Sequence, residues 1–148
     1  TPGVKVVYGS TVRKKGKDYS VAYSNNKKPG IATAKITGIG AYKGSYKATF
    51  KIRPVQAKIQ KLSVKKRKIT VKIAQDKNAS GYEIQYAANS SFKSAKKISV
   101  NGNKTVTKQT PSLKASTKYF VRVRSYKKVG SQKITSVWST PKSIRTKK

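Results

Sequence analysis

Cysteine and histidine are both missing from the sequence, and acidic residues are nearly missing. Without cysteine, neither disulfide bonds nor thiolate metal sites can stabilise the fold. The only carboxylate side chains belong to Asp18, Asp76 and Glu83. General acid–base catalysis, glycoside hydrolysis by a carboxylate pair and metal coordination need histidine or clustered carboxylates. We therefore predict a protein that is not an enzyme, with no catalytic residues, no metal site and no cofactor.

Methionine and long apolar runs are missing as well. The chain starts at Thr1 and contains no Met, so we expect a mature or excised fragment whose signal sequence lies upstream. No apolar stretch is long enough to cross a bilayer, so we predict no membrane insertion. No segment keeps a helical period either, and the pattern therefore favours an all-β fold.

The sequence is instead crowded with lysine and arginine. There are 36 basic residues against three acids, which gives a net charge of +33. Residues 1–53 hold 12 of the basic residues and residues 54–148 hold 24, so the charge covers the whole chain. Such a charge attracts polyanions with little selectivity. High charge with low hydrophobicity is also typical of disorder, but period-two patterning in both halves favours a folded protein.

Short alternating segments separated by turns run through residues 1–53. We predict strands at residues 4–8, 19–24, 31–36 and 46–52. Pro54 follows the last of them, and proline cannot donate a hydrogen bond to a strand ladder. We therefore place a domain boundary there, with residues 54–56 as a short linker.

Residues 57–148 repeat this pattern with more strands. Turn signals such as Asn101-Gly102 separate the apolar segments, and seven short strands of this kind indicate a β-sandwich. We predict strands at residues 58–64, 68–74, 81–87, 96–100, 104–109, 117–126 and 137–145.

Residues 57–146 resemble a fibronectin type III domain of the kind found in tandem in surface proteins of Gram-positive bacteria. The likeness rests on GYEIQY at residues 81–86, on Leu113 followed by TKYFVRVR at residues 117–124, and on Trp138-Ser139. The resemblance implies a seven-stranded β-sandwich in which the Tyr119 hydroxyl bonds nearby backbone as a tyrosine corner. The family usually carries a buried tryptophan on its second strand, and Ile73 takes that place here.

Residues 1–53 resemble a small immunoglobulin-like repeat that often precedes such domains, with matching stretches at residues 16–21, 25–30 and 38–44. In that family a short strand normally precedes the point that matches Thr1. The resemblance therefore implies a truncated module with an exposed sheet edge. The two resemblances and the lack of disulfides imply a secreted or cell-wall-associated fragment of a bacterial surface protein.

The most specific candidate site lies on the outer face of the second module. Alternation along residues 117–126 points Val121 and Val123 inward and Arg122 and Arg124 outward. Arginine forks fit sulfate or phosphate oxygens. The predicted polyanion-binding residues are Arg122, Arg124, Lys97, Lys127, Lys128, Lys65, Lys66, Arg67 and Lys68.

The other polar and aromatic candidates have simpler interpretations. Phe120 and Tyr126 are expected to share the outer face with the two arginines, and Glu83 is expected to meet one of those arginines across the ladder. Asp18 and Asp76 are expected to accept local hydrogen bonds in turns. A lysine cluster taken alone is most simply a solvated turn or a protected strand edge.

Three functions fit these features. The first is adhesion to anionic polymers such as glycosaminoglycans, mucin glycans or teichoic acids, with nucleic acid bound only non-specifically through counterion release. The second is a structural spacer of a larger wall-associated protein. The third is a released, hormone-like ligand of a host receptor, similar in fold to the secreted myokine irisin, and this rests on fold-level analogy.

Overall fold

A computed structural model describes residues 1–104 and 106–148. Thr105, which falls within the predicted strand 104–109, lies outside the described residues. The chain forms two compact units, Thr1–Ile52 and Arg53–Lys148. The described residues contain no helix that is long and apolar enough to span a membrane.

The three residues predicted to form a linker belong to the second unit. The Ser125 hydroxyl donates a hydrogen bond to the carbonyl oxygen of Val55. The side-chain amide of Gln56 donates to the carbonyl oxygen of Trp138 at 2.6 Å. Pro54 is buried. Residues 54–56 therefore lie along the second unit from its start.

The first unit consists of a short hairpin and a three-stranded antiparallel sheet. The hairpin pairs β1 (Val7–Tyr8) with β2 (Thr11–Val12). The sheet has the order β3-β4-β5, formed by Tyr19–Ser24, Gly30–Gly38 and Ser45–Ile52. The strands predicted at residues 19–24, 31–36 and 46–52 all lie within these three observed strands.

The start of the first unit differs from the predicted strand at residues 4–8, because only the last two of these residues form a strand. The segment before them is tied to the sheet by side chains instead of by a ladder. The Tyr19 hydroxyl donates to the carbonyl oxygen of Val4 at 3.0 Å, and the Tyr23 hydroxyl donates to that of Pro2 at 2.6 Å.

The second unit is a β-sandwich of two antiparallel sheets. One sheet has the order β10-β7-β6, and the other has the order β12-β11-β8-β9 with β13 also paired to β11. The strands are β6 (Ile59–Lys65), β7 (Lys68–Ile73), β8 (Gly81–Ala87), β9 (Lys96–Asn101), β10 (Thr107–Gln109), β11 (Lys118–Val129), β12 (Gln132–Thr135) and β13 (Lys142–Arg145).

The core lies between the two sheets and is built from alternate residues of the long strands. Val121 and Val123 of β11 have no exposed surface, which confirms their predicted inward orientation, and Ile84 of β8 has none either. Ile73 is also buried and packs in the same cluster. The all-β sandwich predicted from the alternation is confirmed.

The tyrosine corner implied by the resemblance is also present. Tyr119 is buried in the core cluster, and its hydroxyl accepts a hydrogen bond from the backbone N–H of Lys114 at 3.3 Å. Leu113, one residue earlier, packs against the same cluster. This contact fixes the loop that enters β11.

The single strand predicted at residues 137–145 is wrong, because β12 ends at Thr135 and β13 begins at Lys142. Between these two strands, serine residues bond to β11 in place of a regular strand pairing. Ser136 and Ser139 each donate a backbone N–H to β11 and accept a β11 N–H on the hydroxyl, at distances of 2.7 to 3.1 Å. The three-residue spacing matches a polyproline II helix. This segment positions Trp138 over the outer face.

Truncation of the buried Ile84 side chain should destabilise the second unit far more than truncation of an exposed side chain. We expect Ile84→Ala to lower the free energy of unfolding by about 2–5 kcal/mol, because it leaves a cavity between the sheets. Val55→Ala, at a side chain that is 69% exposed, should cost less than about 0.5 kcal/mol. Urea titration followed by the fluorescence of Trp138, the single tryptophan, measures both. Equal losses would contradict this core.

Candidate functional site

A buried carboxylate occupies the centre of the outer face of the second unit. Glu83 lies on β8 and is only 2% exposed, although it points away from the core. The antiparallel register places it directly opposite Arg124 of β11, and it places Gln85 opposite Arg122. The predicted pairing of Glu83 with one of these arginines is confirmed.

Three cations surround the Glu83 carboxylate. The Nη2 and Nε atoms of Arg124 lie 2.6 and 2.7 Å from Oε2. The Nζ of Lys133 lies 2.6 Å from Oε1, and the Nζ of Lys97 lies 3.6 Å from the same oxygen. Both oxygens are therefore occupied by groups of this chain.

These contacts set the protonation of the carboxyl. Burial raises the pKa of Glu83, but hydrogen bonds and positive charge from Lys133 and Arg124 outweigh it and hold the pKa below 4.5. Opposite charges and hydrogen bonds to the ionised form both favour the carboxylate. Glu83 therefore remains a fixed negative charge inside a positive surface.

Aromatic rings cover the faces of the two arginines. The Cζ of Arg122 lies 4.0 Å from the ring centroid of Phe92 and 4.9 Å from that of Trp138. The Cζ of Arg124 lies 4.4 Å from the Trp138 ring. We name these four residues the arginine–aromatic stack. Such contacts hold a guanidinium in place when it is partly desolvated.

The remaining hydrogen-bonding capacity of the stack is also partly used. The Nε of Arg122 donates to the side-chain oxygen of Gln85 at 2.8 Å. Burial, and to a smaller extent the positive charge of Arg124, lowers the pKa of Arg122 from its usual range. Arg122, Arg124 and Lys97, three of the predicted polyanion-binding residues, are thus engaged within the chain.

The two aromatic residues predicted on this face flank the arginines along β11. Tyr126 shares the face but is buried over Gly81, and its hydroxyl donates to the side-chain oxygen of Asn101 at 2.8 Å. Phe120 lies near the other end of β11, where the Nζ of Lys118 is 5.2 Å from its ring centroid. Lys133, which binds Glu83, also places its Nζ 4.0 Å from the Tyr126 ring centroid, so Tyr126 is continuous with the contacts of Glu83.

Lys127 and Lys128 lie at the end of β11 that meets the residues before β8. The two lysines pair with β12 in the register, and the backbone N–H of Lys128 donates to the Ser80 hydroxyl at 3.1 Å. Neither lysine lies in the Glu83 cluster. Lys127 is half-buried and Lys128 is exposed.

The remaining predicted residues form a fully exposed cationic hairpin. Lys65 and Lys68 close the turn between β6 and β7, and Lys66 and Arg67 form its tip. Lys66 has φ +51°, a left-handed conformation that few non-glycine residues adopt. The four side chains, together with Gln109 and Ser112, line an open cavity of about 340 Å³.

Backbone contacts bring further lysines to the same end of the unit. The N–H of Leu113 donates to the carbonyl oxygen of Arg67 at 2.9 Å, and the N–H of Lys147 donates to that of Lys66 at 3.1 Å. A second cavity of about 260 Å³ shares Ser112 with the first. We name this region the basic end, formed by Lys65, Lys66, Arg67, Lys68, Lys96, Lys114 and Lys147.

Neither acid of the second unit lines the two cavities of the basic end. Asp76 precedes β8, and its Oδ1 accepts a hydrogen bond from the N–H of Asn78 at 2.9 Å. Asp18 is in the first unit, where its Oδ2 accepts from the N–H of Lys14 at 2.8 Å. Both predictions of a local turn acceptor are confirmed. Only Glu83 neutralises cations in the second unit through salt bridges among the described residues.

Sequence reasoning missed Phe92, Lys133 and Trp138. The predicted strand at residues 137–145 includes Trp138, but Trp138 lies between β12 and β13, where the alternation of a strand does not apply. Phe92 lies in a loop with φ +58°, and no period predicts the direction of such a side chain. Lys133 could have been expected only indirectly, because a buried carboxylate needs several polar or charged partners.

Removal of the Glu83 charge should destabilise the second unit and change how its stability depends on pH. We expect Glu83→Gln to cost about 2–4 kcal/mol near neutral pH, because it leaves three cations without their counter-charge. The folded pKa is below 4.5, so the contribution is present above that value and is lost as pH falls through the lower folded pKa.

Urea titrations at a series of pH values measure both effects, with Trp138 fluorescence as the signal. The wild-type protein should lose stability on acidification, and Glu83→Gln should lose much less. Asp76→Asn removes the same charge from a turn, and it should lower the free energy of unfolding by less than Glu83→Gln does. Parallel pH curves for wild type and Glu83→Gln would refute this role of Glu83.

Comparison with known proteins supports the fold alone. No protein-family model matches the chain, and no curated protein matches it either. A crystal structure of the chicken CNTN1 FN1-FN3 domains is similar, with a TM-score of 0.54 and 20% sequence identity over 84% of this chain. The match covers 44% of that structure, so this chain spans less than half of its length. The likeness shows that the chain has a β-sandwich fold of the fibronectin type III and immunoglobulin-like kind.

Proposed function

We propose that the second unit is a non-enzymatic module that binds anionic polymers through the basic end. The observation that carries this proposal is the gathering of seven cations at one end of the unit. Six of them line two cavities that share Ser112, and the seventh, Lys147, bonds the backbone of Lys66, while neither Asp76 nor Glu83 lines either cavity. Fibronectin type III folds commonly serve as binding or spacing modules, which agrees with this class of function. A secreted or wall-associated location follows from the same proposal.

The chemistry of the basic end favours phosphate- or sulfate-bearing chains. Six of its seven cations are lysines, which act as hydrated point charges rather than as planar forks. Their field is strong but makes few geometric demands, so it holds repeating anions without reading a sequence. Glycosaminoglycans, sulfated mucin glycans and teichoic acids all offer such a repeat, and nucleic acid would bind only through its backbone charge.

A structural spacer is the second candidate, and one observation favours it. The similarity to a solved chain of three fibronectin domains extends over 84% of this chain and so includes both units. In that case the positive charge would adapt the surface to an anionic cell wall. Binding would then be weak, indifferent to the type of polymer and spread over the whole surface.

Neutralising the hairpin should separate these two functions. We expect a variant with Lys65→Gln, Lys66→Gln, Arg67→Gln and Lys68→Gln to bind heparin and teichoic acid several hundred-fold more weakly, at roughly 1 kcal/mol for each of the four lost cations near a polyanion. Its plot of log affinity against log salt should also be shallower. Isothermal titration of the folded protein at several salt concentrations measures both quantities.

The matched control removes the same charge at the opposite end of the unit. It carries Lys77→Gln, Lys104→Gln, Lys127→Gln and Lys128→Gln, and these four residues lie beside Asp76, Asn103 and Ser80. The control should keep most of the affinity. Equal losses in both variants would indicate diffuse charge and favour the spacer. Saturable, salt-resistant binding to a receptor ectodomain would favour the receptor-ligand hypothesis.

A further inference from the structure

The first unit contains a cavity that the proposed function does not use. It has a volume of about 390 Å³ and lies between the β1–β2 hairpin and the loop at residues 38–44. The rings of Tyr8, Tyr42 and Tyr46 line it, and most of its lining is apolar. Pockets for small ligands range from roughly 300 to 1,000 Å³, so this cavity suits a ligand of one or two rings.

Two glycine-dependent turns build the walls of the cavity. Gly9, at φ +56°, allows the turn that places Tyr8 on the hairpin. On the other side, the backbone of Tyr42 packs directly on Gly38, where any side chain would collide with the carbonyl group of Tyr42. The N–H of Gly38 donates to Gly44 at 3.1 Å, which holds the loop closed.

An arginine without a hydrogen-bond partner at Nε sits in this cavity. The Cζ of Arg13 lies 5.4 Å from the ring centroid of Tyr8 and 5.0 Å from that of Tyr42. Within the described part of the chain, its Nε is buried and has no acceptor. By contrast, the Nε atoms of Arg122 and Arg124 both donate to side-chain oxygens.

The Nε of Arg13 is buried, but the residue as a whole is only half-buried. A ligand in the cavity would therefore meet the terminal N–H groups of the guanidinium. The two tyrosine rings hold the guanidinium by its faces, and a planar fork held in one place suits a carboxylate. The guanidinium held between the two rings therefore indicates the acceptor chemistry of a ligand in this cavity.

The charge of the cavity agrees with an anionic ligand. Arg13 and Lys43 line it on the positive side, and Asp18 is the one acid among the lining residues. The carboxylate of Asp18 already accepts a hydrogen bond from the N–H of Lys14 at 2.8 Å. The cavity therefore keeps a net positive charge beside an apolar, aromatic wall.

We propose that this cavity binds a small carboxylate carried on a six-membered ring. The carboxylate meets the guanidinium of Arg13, and a flat face of the ring packs on the exposed tyrosines. Sugar acids and aromatic acids both have this chemistry. The site is independent of the basic end, because it lies wholly within the first unit and uses none of the same residues.

The test is a titration of the full chain followed through its arginine Nε–H resonances by nuclear magnetic resonance. The probes are glucuronate and benzoate, with glucose and benzamide as neutral counterparts and inorganic sulfate as a purely ionic one. Either acid should shift the Arg13 resonance in a saturable way and leave the other five arginines unchanged. The acid that binds more tightly identifies the natural source of the ligand.

Variants locate the site independently of that signal. Arg13→Lys keeps the charge but loses the fork, and it should weaken binding about tenfold or more. Arg53→Lys makes the same change at an exposed arginine and should leave binding unchanged. Tyr8→Ala removes a ring that is 73% exposed, so the unit should still fold, and affinity should fall several-fold.

The proposal is overturned by any of three results. The first is the absence of a saturable shift with both acids. The second is a shift with sulfate, glucose or benzamide as large as that with the acids. The third is unchanged affinity in Tyr8→Ala, which remains informative even if Arg13→Lys does not fold. Loss of heparin binding in the hairpin variant, with intact binding of a ring carboxylate, would show that the two sites are separate.

Discussion

The second unit depends on one buried carboxylate in a chain with a charge of +33. Glu83 is 2% exposed and holds Arg124, Lys133 and Lys97 around its two oxygens. Three cations would otherwise repel each other across neighbouring strands, since like charges on facing strands are destabilising. The carboxylate in turn tolerates burial only because these partners satisfy it. The outer face of the sheet is stable because the carboxylate and the three cations neutralise one another there.

This arrangement decides which cations remain free for a partner. Arg122 and Arg124 look like the best anion-binding groups in the sequence, yet their faces lie against Phe92 and Trp138, and each Nε already has an acceptor. An anion approaching them would compete with contacts inside the chain. The hairpin lysines have no such competitor among the acids. Arg122 and Arg124 thus stabilise the fold, and the hairpin lysines carry the accessible charge.

Alternation in the sequence was enough to predict the sheets, because inward and outward positions follow from the period of a strand. Val121 and Val123 were placed correctly for this reason, and the register followed closely enough to pair Glu83 with an arginine. The same rule failed where the backbone leaves the strand. Ser136 and Ser139 anchor an irregular segment through their hydroxyls, so the direction of Trp138 depended on tertiary hydrogen bonds. The cavity around Arg13 likewise depends on two turns meeting in space, which no local pattern encodes.

Salt should act on the fold and on binding in opposite directions. Screening reduces the self-repulsion of a chain with a charge of +33, which favours the compact state. The same screening weakens attraction between exposed lysines and a polyanion, whereas the buried contacts of Glu83 are screened much less. A rise in ionic strength would therefore release a bound polymer from a protein that becomes no less stable. The division follows from where the charges lie: the one buried acid stabilises the fold, and the exposed lysines would meet the polymer under the proposed function.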